Sequence, residues 1–250
     1  MLNCSMDSTI WTEKTKFPGN KGHLHLDADS YNKWIEDACY VCEPDLFEEE
    51  ISEDHNLLAE VGKYSFYLRT FPTHTTRFNL FGFSPGIKKV RAVLDIAQGR
   101  RRGTVSFDGP VHIPILMDSD KVWMSLTPME VFSQRSGLRK AKGRVLIAGL
   151  GMGWLTSRVL SKKSVKSVTQ VEMIPEVMSF FGGPLSDSKK LELVEGDIWS
   201  LLDNELDIQD YDTILFDIWP RYGDAHFDRK FQKLKRSHEK VWGWGDFGAP

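Results

Sequence analysis

Four positions in the second half of the chain carry residue types that could do chemistry, and they recur at a regular interval. Gly149-Leu150-Gly151-Met152-Gly153 sets three glycines at alternate positions behind the apolar run VLIA. Glu172, Asp197 and Asp217 follow at intervals of 20 to 25 residues, at the ends of KSVTQVE, LELVEGD and YDTILFD. Glycine permits positive φ and has no Cβ, so a ligand can lie against the main chain where such a turn opens into a helix. A carboxylate ending the next segment can accept both hydroxyl protons of a ribose, and one ending the segment after it can accept an amino proton from adenine. A carboxylate at the fourth position can hold an amine or take its proton. Trp219, two residues further on, can wall a pocket, stack on a planar acceptor or face a cation. The glycines, Asp217 and Trp219 also have plainer readings: turn geometry, a loop cap and core packing, in that order.

Residues at this spacing are positioned by consecutive βα units of a parallel sheet, whose ligands sit beyond the carboxyl ends of the strands. Trp154, Leu155, Arg158 and Val159 give the helix after the glycine turn, and VWGWGDF reads as a fifth strand, which leaves the sheet short. HFDRKFQKLKRSHEK reads as one amphipathic basic helix covering the sheet, with Asp224 and His226 near its start. The first half has a different rhythm. YSFYLRTF, TVSF and VHIPILM are strands, Val111 to Leu126 forms a hairpin, and helices run near Tyr31 to Cys42 and Ile87 to Gln98. The expected fold is therefore α/β: a Rossmann-like, mostly parallel sheet flanked by helices over residues 127–250, preceded by a smaller β-rich α+β domain over 1–126.

The glycine spacing selects between adenosine ligands. A dinucleotide turn reads G-x-G-x-x-G and assigns no role to an acid at Asp197, whereas this chain reads G-x-G-x-G. S-adenosylmethionine fits better than a nicotinamide cofactor. Residues 144 to 217 resemble a class I S-adenosylmethionine-dependent methyltransferase core, and VTQVEMIPEVM, LVEGDIW and YDTILFD are similar to its spermidine synthase branch. The resemblance implies a glycine loop at Gly149, Gly151 and Gly153, a ribose acid at Glu172, an adenine acid at Asp197 and the first aspartate of a catalytic loop at Asp217. It also implies a β-hairpin domain joined to the core through a helix, in the place of VHIPILMDSDKVWMSLTPMEVFSQ.

The chain departs from that branch where a polyamine would bind. The loop reads Asp217-Ile-Trp-Pro220 without a second aspartate, and Pro128-Met129-Glu130 replaces a tyrosine-histidine-glutamate run. Thr127-Pro-Met-Glu130 has instead the form of a capping box, which accounts for Glu130 without a role in substrate binding. Methyl transfer to an unidentified small-molecule or nucleic-acid acceptor is the leading expectation, with a small molecule favoured. Aminopropyl transfer from decarboxylated S-adenosylmethionine is the first alternative, and a non-catalytic adenosine-binding module the second.

Composition narrows the setting. The chain has 250 residues, a net charge of −3 and no apolar run long enough to span a bilayer, so a cytoplasmic protein is expected. The acids at Glu48, Glu49, Glu50, Glu53 and Asp54 and the bases Arg100, Arg101 and Arg102 read as solvated surface. The basic stretch IKKVRAVLDIAQGRRRG leaves nucleic acid open as an acceptor, although no stacking motif accompanies it. Three cysteines exclude a disulfide framework, and Cys39 and Cys42, even with His23 and His25 upstream, fit a helix face better than a zinc site, so no metal is expected. Oligomeric state is not encoded in any of these features.

Overall fold

A strand buried on both faces must be apolar throughout, and VLIA is such a strand. In the computed structural model, which describes residues 8–16, 23–38, 56–61, 64–71, 78–79, 104–119 and 121–246, all four of these residues are buried. They belong to β8 (Gly143–Ala148), the middle strand of a five-stranded sheet. Its companions are β9 (Val165–Glu172), β10 (Leu191–Glu195), β11 (Thr213–Phe216) and β12 (Val241–Gly243), in the order β10-β9-β8-β11-β12. Every neighbouring pair is parallel. The expected Rossmann-like sheet is present, with the order reversing across β8, so that β9 and β11 flank it. That reversal opens a crevice at the carboxyl ends of these strands.

Helices follow the strands as the recurrence requires. They are α2 (Pro128–Lys140), α3 (Trp154–Leu160), α4 (Pro175–Gly182), α5 (Ile198–Asn204), α6 (Asp224–Phe227) and α7 (Arg229–Ser237), after α1 (Ala28–Ala38) in the first half. α2 starts as its sequence dictates, with Thr127 Oγ1 accepting from the Glu130 amide at 3.3 Å and Pro128 as the first helical residue. The segment expected as one helix from His226 is instead broken. Asp228 takes an extended conformation and its Oδ1 accepts from the Phe231 amide at 3.0 Å, capping α7 and separating it from α6. One face of the sheet buries Leu146, Ala148, Ile214 and Phe216 against Ile198, Leu201 and Phe231 from α5 and α7.

The chain divides into two compact units between Phe132 and Ser133. In the first, β2 (Asn56–Val61), β3 (Tyr64–Phe71), β6 (Val111–Asp118) and β7 (Lys121–Ser125) form an antiparallel sheet in that order, and β6 with β7 is the expected hairpin. A second sheet pairs β1 (His23–Leu26) parallel to β5 (Thr104–Phe107), with β4 (Phe78–Asn79) antiparallel on its other side. α1 buries Ala28, Tyr31, Ile35 and Ala38, one helical stripe, and Tyr31 donates to the Leu126 carbonyl at 2.5 Å. Trp11 and Phe107 lie edge-on or tilted against the Tyr31 ring. Cys39 and Cys42, both charge clusters and the helix expected from Ile87 to Gln98 lie outside the described residues. Among the described residues no group of acids, histidines or cysteines could hold a metal, and no helix is long and apolar enough to cross a membrane.

Phe231 is the keystone of the α7 packing: it is fully buried, and a Cβ on Gly243 of β12 would lie 2.3 Å from its ring. Phe231→Ala should cost about 3–5 kcal/mol in equilibrium denaturant unfolding, the range for truncating a core phenylalanine. A loss under about 1 kcal/mol would show that α7 is not anchored through this ring.

Candidate functional site

β8 ends at Ala148 and the chain turns at once through the glycine loop. Gly149, Gly151 and Gly153 have φ of 89°, 57° and 72°, a left-handed backbone that favours glycine at each position. At Gly149 a second demand applies. A Cβ there would lie 2.1 Å from the Asp217 carbonyl oxygen, so the group that excludes a side chain is the protein's own neighbouring strand end. Two backbone hydrogen bonds fix this close approach: Gly149 N–H to Val171 O at 2.9 Å and Asp217 N–H to Ala148 O at 2.8 Å.

Glu172 closes β9 and is buried, with 7% of its surface exposed. Burial of a carboxylate requires donors, and two main-chain amides supply them. Oε2 accepts from Leu150 N–H at 2.8 Å and Oε1 from Ile174 N–H at 2.9 Å. The acid therefore spans from the end of its own strand to the glycine loop of the next one. Each oxygen keeps a second lone pair, so the arrangement leaves capacity for a hydroxyl donor.

Asp197 follows β10 as the N-cap of α5. Its Oδ2 accepts from the amide and the hydroxyl of Ser200, each at 3.0 Å. The expected adenine acid is thus also a helix cap, with Oδ1 as its remaining acceptor. Trp219 packs its ring on Phe231 at 4.9 Å and Phe216 at 6.2 Å between centroids, while its Nε1–H donates to Asp228 Oδ2 at 3.1 Å. It braces the loop after β11 against the cap of α7. Asp224 pairs with Arg221 at 3.8 Å, and His226 lies 3.6 Å from Asp246, a buried carboxylate that also pairs with Lys235.

Asp217 is brought beside Glu172 at the crevice. Burial pushes its carboxyl up to about 7, and the negative charge of Glu172 adds to the effect. Its Oδ2 accepts from Gln134 Nε2–H at 2.8 Å. Gln134, on α2, is the residue that sequence reasoning missed. It lies one helical turn beyond Glu130 on the same side of the helix, but its partner is 83 positions away in sequence.

No protein-family model matches the sequence, and no curated protein matches it. Among solved structures, a dimethyladenosine transferase from Plasmodium falciparum is 18% identical, with a TM-score of 0.34; the match covers 46% of this chain and 39% of that one. The 23S rRNA methyltransferase ErmE is 24% identical, with a TM-score of 0.25, over 33% of this chain and 34% of its own. The chain thus spans well under half the length of either.

The proton on Asp217 has a consequence for stability. Its folded value of about 7 exceeds that of an unfolded aspartate, roughly 3.9, so between these pH values the native state holds a proton that the unfolded state has lost. The resulting stabilisation is full below about pH 4 and disappears as pH rises through about 7. Asp217→Asn does not titrate, so its stability relative to wild type should improve between pH 5 and pH 8 by at least about 1 kcal/mol, somewhat under one pKa unit. Paired melts at the two pH values check this; an unchanged difference would contradict the proton on Asp217.

Proposed function

We propose that the chain is an S-adenosylmethionine-dependent methyltransferase whose cofactor lies across the carboxyl ends of β8, β9, β10 and β11. The observation that carries this reading is the hydrogen bond that the Leu150 amide donates to Glu172, which makes the ribose acid and the glycine loop one prebuilt cradle at the strand-order reversal. The residues present fit the cofactor. Glu172 retains acceptor capacity for ribose hydroxyls, Asp197 keeps Oδ1 for the adenine amino group, and the loop carries no side chain at Gly151 and Gly153, while Gly149 lets it pack on the end of β11.

When bound, the cofactor supplies an activated methyl group on a sulfonium that departs as a neutral thioether. The protein then has to align the acceptor and manage its proton. Asp217 stands at the β11 end, where its carboxyl can orient an acceptor amine and take the proton that the new bond releases. A group that titrates near neutrality is suited to both steps. Trp219 contributes by bracing the loop that carries Asp217. An amine-bearing acceptor is the class that this arrangement serves, whether carried by a small molecule or by a nucleic acid.

The likeness to the spermidine synthase branch rests on the motifs VTQVEMIPEVM, LVEGDIW and YDTILFD alone. Its aminopropyl chemistry is not favoured, because a diamine stripped of water needs several carboxylates and the loop after β11 offers Asp217 alone before Pro220.

Calorimetry with S-adenosylmethionine and S-adenosylhomocysteine should show binding of both, and no heat at millimolar concentration would sink the reading. Glu172→Ala should weaken binding by about 1.5–3 kcal/mol, the worth of hydrogen bonds to a charged group. Incubation with putrescine and decarboxylated S-adenosylmethionine should yield no spermidine; turnover there at an ordinary enzymatic rate would establish aminopropyl transfer instead.

A further inference from the structure

We propose that Gln134 is a positioning residue of the candidate site: its side-chain amide holds one oxygen of Asp217 and leaves the other for the ligand. This rests on the methyltransferase reading for what the ligand is, but not for the contact itself.

Gln134 is 8% exposed and donates from Nε2 to Asp217 Oδ2 at 2.8 Å. Asp217 is fixed from the main-chain side as well. Its N–H bonds Ala148 O at 2.8 Å, and its carbonyl oxygen occupies the space that a Cβ on Gly149 would need. Among the described residues Oδ1 has no hydrogen-bond partner. One oxygen is therefore committed to the protein and the other is available.

The choice of an amide matters chemically. Burial and Glu172 both resist ionisation of Asp217, whereas a hydrogen-bond donor to a carboxylate favours its charged form. Among the described residues Glu172, from β9, is the charged group that acts on Asp217; α2 presents the neutral Gln134 amide, and the end of β8 presents main chain. A lysine or arginine in place of Gln134 would hold the acid ionised far below neutrality, and an apolar residue would leave it protonated above. Gln134 does not titrate, so its donor is present at every pH. The amide thus holds one Asp217 oxygen at a fixed orientation at every pH.

The test uses Gln134→Met, which keeps the shape and removes the donor, and Gln134→Glu, which replaces it by an acid. Carboxyl 13C NMR titration of the full chain, with the Asp217 signal identified by its loss in Asp217→Asn, gives the first readout. Gln134→Met should raise the Asp217 midpoint by about half a unit to one unit, and Gln134→Glu by more. The second readout is the ratio of affinities for S-adenosylmethionine, a sulfonium cation, and S-adenosylhomocysteine, which lacks that charge. In the wild type this ratio should rise as pH carries Asp217 through its titration, and in Gln134→Met the rise should occur at correspondingly higher pH. A merely structural role for Gln134 would lower the melting temperature and move neither curve. An Asp217 midpoint unchanged in folded Gln134→Met overturns the proposal, and that variant decides alone if Gln134→Glu does not fold. If the wild type binds neither compound, the cofactor reading fails while the titration still decides the role of Gln134.

Discussion

The site depends on a buried carboxylate bonded to two main-chain amides. Glu172 would be costly to bury alone, and the amides of Leu150 and Ile174 are what make it tolerable. In satisfying the acid, Leu150 is drawn to the end of β9, and the glycine loop is held over the crevice. Left-handed turns cost backbone entropy to order, and hydrogen bonds to a charge are stronger than neutral ones. The carboxylate thereby orders the loop before any ligand arrives.

The other wall of the crevice is set by close backbone approach. Gly149 lets the end of β8 press against the Asp217 carbonyl, so the β11 loop leaves the sheet in contact with the glycine turn. Behind that loop, Trp219, Phe216 and Phe231 pack as an aromatic cluster, and Trp199 stacks on Phe216 at 5.1 Å. The hydrogen bond from Trp219 to Asp228 joins this cluster to the residue that caps α7. Core packing on one face of the sheet thus braces the loop at its edge. This is why a residue typed for stacking on a ligand can serve the site from behind.

Much of the parallel sheet was legible, because five apolar segments with acids or glycines at their ends leave few other architectures. The start of α2 was legible too, since Thr127, Pro128 and Glu130 act through bonds only three residues long. What escaped depended on choices between local and distant partners. Asp197 reads equally as a strand-end ligand acid and as an N-cap, and nothing in the sequence shows that Ser200 takes one of its oxygens. Asp228 sits inside an amphipathic pattern that continues across it, so the break between α6 and α7 is invisible to periodicity. Gln134 meets Asp217 across 83 positions of sequence, and no local pattern encodes that contact.

Two acids at one crevice also constrain what can bind there. Glu172 is committed to two amides, whereas Asp217 has one side-chain amide donor, so the cost of a second charge falls on Asp217. A neutral ligand that expelled water from the crevice would deepen that cost, since the carboxylate would lose its remaining hydration. A ligand carrying positive charge would do the opposite, because its field replaces the lost water and favours the ionised acid. The same asymmetry separates the two acids in function. Glu172 is tied to the frame and suits holding a ligand in place, while Asp217, with one oxygen uncommitted and its proton in balance, suits a step in which charge moves.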